Sequence, residues 1–224
     1  MSTLIVRRDI PRAPADILRR FSGVPTGFVA DAQGRRGAID HRIRPLLNAP
    51  AFAGTALTVW TVPSDNLATY AALSVAKPGD VLLVATENCE SAAVTGDIVV
   101  GMAKNAGIVA VVTDGLVRDI DGLEQVGLPL YARGLTPSSP QKNGPGKVGL
   151  PISIGGVVVE AGDIVLGDRN GVVIVPRNAA ASVAQELEKI KAKEKEMDAM
   201  VASGAKLPPW WSDYAAKNPI AFVD

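Results

Sequence analysis

Apolar residues follow two alternating spacings along this chain, and the alternation predicts its elements. Residues 14–22, "PADILRRFS", open on proline and set Ile17, Leu18 and Phe21 on one side, the pattern of a short helix; a second helix is expected over 26–34. "AGTALTVWTV", 53–62, is rich in β-branched residues, stops at Pro63 and reads as a strand. "SDNLATYAALSVA" then offers Ser64 or Asp65 as a cap ahead of good helix formers and ends at "KPGD". "VLLVA", 81–85, is apolar throughout, as expected of a strand covered on both faces. The order repeats: "TGDIVVGMAKNAG" puts Ile98, Val99, Met102 and Ala106 on one helical face with Gly107 as its stop, and "IVAVVTD" is the next buried strand.

Residues 134–149 turn to Gly, Pro, Ser and Lys and predict a long loop. Beyond them, "PISIGGVVVEAGDIVLGDRNGVVIVP" reads as several short strands with a tight turn at Asn170-Gly171. A long charged helix is expected over 178–203 and an irregular tail over 204–224. The result is α/β with an added β-rich section, and with no linker in it a single domain over 1–224 is expected.

One of these units is bracketed by charge. Asp97 opens its helix, and Arg118-Asp119 follow its second strand, with twenty residues between. If 81–85 and 108–113 are parallel neighbours, a helix of about ten residues travels ~15 Å. A six-residue strand returns ~20 Å. Asp97 therefore ends near Arg118 and Asp119, and Asn66, just after the strand at 53–62, belongs on the same rim, where open α/β sheets bind ligands. Carboxylates and a carboxamide without histidine or cysteine point to a hard cation such as Mg²⁺, and Arg118 would hold a carboxylate or an oxyanion. The structural alternative is that Asp97 favours its helix N-terminus, Asp119 caps the next turn and Arg118 pairs with either.

The C-terminal helix adds a third carboxylate. Val183, Leu187, Ile190, Met197 and Val201 form one apolar stripe, and its vacant place belongs to Glu194, which there needs a proton, a cation or donors. Otherwise the stripe leaves the core at that point and Glu194 is solvated.

Composition narrows the chemistry. Across 224 residues with 47% hydrophobic content, 23 Lys and Arg balance 23 Asp and Glu, so no long-range field draws the chain to nucleic acid or an anionic membrane. No apolar run nears the ~18 residues of a membrane span, "MSTLIVRRDIPRAP" lacks the h-region of a signal peptide, and one cysteine fits a reducing compartment; a cytoplasmic protein is expected. One histidine and one cysteine build neither a His/Cys zinc site nor a Ser-His-Asp triad, with His41 in what reads as a loop entering a strand. Cys89, in "TENCESA", has nearby glutamates that would raise its pKa, so no nucleophilic role is expected. "GPGKVG", 144–149, matches G-x-G-x-x-G but precedes strand-like sequence and lacks the helix that would hold a pyrophosphate; no Walker motif occurs.

Asp97 and Arg118-Asp119 with "GIVAVVTDGLVRD" between, together with "VADAQGRRG", "PSDN", "PGDVLLV" and "GDRNGVVIVPR", resemble the RraA-like family over about residues 15–203. That family includes the 4-hydroxy-4-methyl-2-oxoglutarate/4-carboxy-4-hydroxy-2-oxoadipate aldolases. The resemblance implies an α-β-β-α sandwich of the swivelling β/β/α (phosphohistidine-domain-like) type, assembled as homotrimers or homohexamers with intersubunit active sites. It implies that Asp119 binds Mg²⁺ or Mn²⁺ directly, that Asp97 and Glu194 from a neighbouring subunit hold water on the ion, and that Arg118 contacts the keto oxygen of a 2-oxo acid. Ile98 and Val99 would offer backbone amides to its carboxylate. Two departures stand out: Gly122 takes the place of a usual acidic residue, and "KLPPWWSDY" replaces a glycine- and leucine-rich ending.

The implied activity is Schiff-base-free cleavage of 4-hydroxy-2-oxo dicarboxylic acids to pyruvate and a 2-oxo acid, with oxaloacetate decarboxylation beside it. No lysine adjoins the site as a Schiff-base nucleophile, since Lys104 lies beyond a helical turn from Asp97. The rival implied by other relatives is a non-enzymatic regulator of ribonuclease, for which Trp210, Trp211 and Tyr214 would be anchors, unless they pack on a neighbouring subunit. A menaquinone-pathway methyltransferase, also named in the family, lacks any glycine-rich nucleotide site here.

Overall fold

The structure, a computed structural model, describes residues 3–48 and 50–223. Chain order begins with Leu4–Val6 (β1), Ala15–Arg19 (α1), Thr26–Ala32 (α2), Arg44–Pro45 (β2), Phe52–Thr61 (β3), Leu67–Leu73 (α3) and Asp80–Ala85 (β4). It continues with Ala93–Thr95 (β5), Asp97–Asn105 (α4), Ala110–Thr113 (β6), Leu116–Val117 (β7), Ile120–Val126 (α5), Leu130–Ala132 (β8) and Gly134–Leu135 (β9). Gly146–Val148 (β10), Ile152–Ile154 (β11), Val157–Val159 (β12), Ile164–Asp168 (β13), Gly171–Val175 (β14), Ala180–Ala202 (α6) and Trp210–Lys217 (α7) complete it.

The expected parallel unit is present. β3 pairs with β4, β4 with β6 and β6 with β8, all parallel, as the centre of a nine-stranded sheet. All six residues of β4 are buried, the pattern of a strand covered on both faces. Its one charge, Asp80, lies in a bidentate pair with Arg12, at 2.9 and 2.7 Å, which offsets the cost of burial. On one face Leu57, Leu82, Val84 and Val111 pack with Ala68, Val100, Ala103 and Leu123 of α3, α4 and α5. On the other, Leu83, Ala85 and Val112 meet Ile152, Ile154 and Val159 of the β11–β12 hairpin. A third cluster seats Val29 of α2 and Val183, Ala184 and Leu187 of α6 on β13 and β14.

Several expectations need correction. The stretch 134–149 is not one loop: β9 extends a small parallel sheet with β5 and β7, and β10 pairs with both β1 and β3. Gly146 and Val148 are buried there, so the glycine motif lies in a strand and its rejection as a nucleotide loop stands. The β13–β14 hairpin turns at Arg169–Asn170, because Asp168 pairs with Gly171. The tail is not irregular throughout: α7 starts after Pro209 and runs through a segment free of Gly and Pro. Asp65, not Ser64, serves α3, its Oδ1 accepting the Leu67 amide at 2.8 Å. Among the described residues no helix is long and apolar enough to cross a membrane.

Candidate active site

A cleft of about 180 Å³ opens at the C-terminal ends of β3, β5 and β7. It is lined by Asn66, Tyr70, Thr95, Gly96, Asp97, Ile98, Val99, Arg118, Asp119, Ser139, Pro140 and Lys142. Six of the seven residues singled out from sequence therefore meet in one place. Asp97 lies in the first turn of α4, and its Oδ1 accepts the Ile98 amide at 2.7 Å. Asp119 precedes α5 with φ 63°, a left-handed conformation that costs a non-glycine residue energy and recurs at functional sites. It makes no side-chain cap; its Oδ2 instead meets Arg118 Nε at 3.0 Å, while Arg118 Nη1 donates to Ser139 Oγ. Of the structural alternatives, the Arg118–Asp119 pair is realised and the Asp119 cap is not.

Two glycines bring the carboxylates together. A Cβ on Gly96 would stand 2.4 Å from Asp119 Oδ2, and a Cβ on Gly122 would stand 2.4 Å from Asp97 Oδ2. Each aspartate thus lies against the glycine of the other's segment. Position 122 has no room for an acidic side chain because Asp97 fills it.

Buried acids hold the rim. Asp65 accepts the Asn143 and Gly144 amides at 2.6 and 3.1 Å besides that of Leu67, tying the loop that carries Lys142 to the start of α3. Asp114 accepts Thr86 and Asn88 amides and fixes the left-handed Glu87-Asn88 turn. Three buried side-chain atoms find no partner among the described residues: Asn66 Oδ1, Thr69 Oγ1 and Thr95 Oγ1. Two of these residues, Asn66 and Thr95, line the cleft.

Glu194 is not brought there within one chain. Burial along the α6 stripe ends at Leu187, and Ile190, Glu194 and Met197 are only partly covered, so the stripe leaves the core as the solvated alternative has it. Tyr70, Ser139 and Lys142 were missed from sequence, and Lys142 corrects the expectation that no lysine adjoins the site; the contacts that place them are long-range. His41 is exposed, as its loop position implied.

Cys89 departs from expectation. Partial burial works to raise its thiol, but Ser64 Oγ at 3.4 Å and Ser91 Oγ at 3.2 Å outweigh that and bring it down to about 7. The glutamates are engaged elsewhere, Glu87 with Trp60 and Glu90 with Arg133.

A mixed α/β frame thus carries a polar, carboxylate-bearing cleft at its strand ends, the edge at which open α/β sheets bind ligands. The chain belongs to the RraA-like family, whose model, described as Aldolase/RraA, matches residues 26–174. It is 36% identical over 187 residues to a protein of Halalkalibacterium halodurans named "Putative 4-hydroxy-4-methyl-2-oxoglutarate aldolase", covering 84% of this chain and 87% of that one. It also resembles RraAS2 of Streptomyces coelicolor, described as an unusual member of the RNase ES inhibitor RraA protein family, with TM-score 0.76 and 25% identity over 84% of this chain and 98% of that one. The RNA-processing inhibitor RraA from Thermus thermophilis aligns with TM-score 0.63 and 29% identity over 68% and 93%.

Proposed function

We propose that the chain is a divalent-metal-dependent aldolase that cleaves 4-hydroxy-2-oxo dicarboxylic acids to pyruvate and a 2-oxo acid, and decarboxylates oxaloacetate as a side activity. The observation that carries this reading is the interlocked pair of carboxylates, Asp97 over Gly122 and Asp119 over Gly96, beside Arg118 at the start of α4. The donor set fits Mg²⁺ or Mn²⁺ in kind, since Asp97 and Asp119 offer only oxygen and such ions keep several waters; within one chain no group of three or more His, Cys, Asp or Glu that could hold an ion occurs among the described residues. Asp119 would hold the ion directly; Asp97, and Glu194 from a neighbouring copy in a trimer or hexamer, would hold its waters. Bound there, the ion supplies Lewis acidity to the 2-oxo acid.

The chain's own groups would do the rest. Amides of the first turn of α4, Val99 and, once freed from Asp97, Ile98, receive the substrate carboxylate. Asp97 and Glu194 would accept the proton of the C4 hydroxyl, relayed through a water held between them. The C3–C4 bond then breaks, C4 becomes the carbonyl carbon of the departing 2-oxo acid, and the electron pair passes into the enolate of pyruvate. Arg118 faces the enolate oxygen, a contribution of about 3–4 kcal/mol by comparison with lost oxyanion donors. Return of a proton at C3 completes pyruvate. Loss of CO₂ from oxaloacetate reaches the same enolate. The helices on one face of the sheet and strands on the other support the swivelling α-β-β-α type as the frame.

Similarity to RraA proteins and the exposed Trp210 and Tyr214 favour a second reading, a protein-binding regulator of ribonuclease. One experiment decides: pyruvate release from oxaloacetate and a panel of 4-hydroxy-2-oxo dicarboxylates, with Mg²⁺ and with chelator. Metal-dependent pyruvate supports the aldolase; its absence across the panel leaves the regulator.

A further inference from the structure

The C-terminal arm of the chain is apolar and uncovered. α6 is last buried at Leu187, and the residues from there to Ala202 carry the chain ~22 Å away from β13 and β14. α7 follows, and none of its residues is buried. Trp210, Trp211 and Tyr214 pack on one another with ring centroids 5.8, 6.0 and 6.4 Å apart, yet Trp210 stays 60% and Tyr214 49% exposed. These two lie one helical turn apart and share a face, and Val201 and Leu207 ahead of them are exposed as well.

The body of the same chain has an uncovered groove. It measures about 420 Å³ and runs between α4 and α5, lined by Ile98, Gly101, Met102 and Asn105 of the one and Gln125 and Val126 of the other. Ile98 and Met102, one turn apart, are both exposed. Gly101 interrupts α4 at its centre, where glycine weakens a helix. Its own chain does not require it, because a Cβ there would meet only Val126, at the ordinary distance of 3.8 Å. The absent side chain instead deepens the floor of the groove beside Met102.

Arm and groove match each other. α7 is ~12 Å long and α4 ~14 Å, so one helix can lie along the other. Asn105 and Gln125 offer acceptors to indole N–H groups. Asp97 and Asp121 make one end of the groove acidic, whereas Lys206 and Lys217, with Asp213 between them, leave the arm net positive. Lys104, the cation beside the groove, is turned onto the Val126 carbonyl. The exposed parts of Val201, Leu207, Trp210 and Tyr214 offer on the order of 400 Å², about half of what each partner gives to a stable interface.

We propose that α7 is an intersubunit arm whose aromatic face lies in the α4–α5 groove of a second copy of this chain. Arm and groove are different surfaces, so each copy gives one contact and receives another, and the copies close into a ring. Asp97 and Ile98 border the groove as well as the cleft, which sets the arm of one copy beside the site of the next. The contact is independent of the reaction in the cleft.

The test is sedimentation velocity over a dilution series, joined to cross-linking. Wild type is expected to sediment as a ring. Trp210→Ser with Tyr214→Ser in the arm, and Gly101→Gln in the groove, should each raise the concentration at which it dissociates by about tenfold or more. Gly101→Gln has room in its own chain and should keep the wild-type melting temperature, so its effect on association is not unfolding. In a Cys89→Ser background, which removes the one cysteine, a bismaleimide should join Met102→Cys chains to Tyr214→Cys chains in a mixture and join neither variant to itself. A monomeric wild type, an association unchanged by either substitution, or a link formed within a single chain carrying both cysteines overturns the arm. The first of these results leaves the aromatic face to a different protein, as the ribonuclease-regulator reading requires, and none of them touches the aldolase, which pyruvate release decides separately.

Discussion

Asp119 lies against Gly96 so closely that a Cβ there would stand 2.4 Å from its Oδ2. Gly96 has φ −146°, extended backbone open to any residue, so its glycine is explained by the carboxylate above it and not by its conformation. Gly96→Ala should therefore act as a steric wedge. It is expected to displace Asp119 and lower turnover by about 100-fold, the scale of a 1 Å misplacement at a reacting centre, while the fold persists. Pyruvate release near the wild-type rate would show that Asp119 does not work where it lies.

Arg118→Lys keeps the charge but loses the fork that meets Asp119 and Ser139 together. Turnover should fall about 100-fold or more, with circular dichroism unchanged, because a point charge cannot replace planar donors at a developing oxyanion. Unchanged turnover would remove the role given to Arg118.

Asp65→Ala would leave the Leu67, Asn143 and Gly144 amides without their acceptor. A loss of about 3 kcal/mol is expected. For a chain of this size that lowers the melting temperature by roughly 5–10 °C. Asp65→Asn, which keeps one acceptor oxygen, should recover part of it. A melting temperature within a degree of wild type would show that the loop does not need this carboxylate.

What was legible in the sequence follows from what is local. Asp97, Arg118 and Asp119 sit at the ends of one strand–helix–strand repeat, and the lengths of helix and strand alone bring them back to a common rim. Gly122, noted only as a departure, takes its meaning from Asp97, twenty-five positions away, through a contact that no periodicity records. Lys142 lay in what read as a featureless loop, because the bonds that place it run from Asp65 to residues 78 and 79 positions later. Cys89 was misread for the opposite reason. Its sequence neighbours Glu87 and Glu90 turn to Trp60 and Arg133, while Ser64 arrives from another loop.

The lowered Cys89 thiol has a direct consequence for reactivity. Its alkylation by iodoacetamide should rise through a midpoint near pH 7 and not near the ordinary thiol value of 9.0, since the thiolate forms earlier where hydroxyls hydrogen-bond to it. Replacing Ser64 and Ser91 by alanine removes those contacts and leaves the opposing effect of burial, so the midpoint should move upward. Rates measured from pH 6 to 10 in both proteins give the answer, and coincident profiles would discard the hydroxyls as the cause.

Glu194 offers the sharpest test of where a complete site is built. It lies two turns beyond Leu187, the last buried residue of α6, on a stripe that its own chain covers only in part, and it does not line the cleft of Asp97 and Asp119. If a neighbouring copy supplies it, Asp119→Asn and Glu194→Gln damage different halves of a shared site. Each variant alone should release little pyruvate. In a head-to-tail ring assembled from an equal mixture, a site is intact when the Glu194→Gln chain supplies Asp119 and the Asp119→Asn chain supplies Glu194, which is true of roughly a quarter of the interfaces. Co-expression of the two tagged chains should therefore restore roughly a quarter of wild-type activity, with dilution to monomers abolishing it. A mixture no more active than its parts would mean that Glu194 does not complete the site across an interface, and the waters beside Asp97 would then need another acceptor.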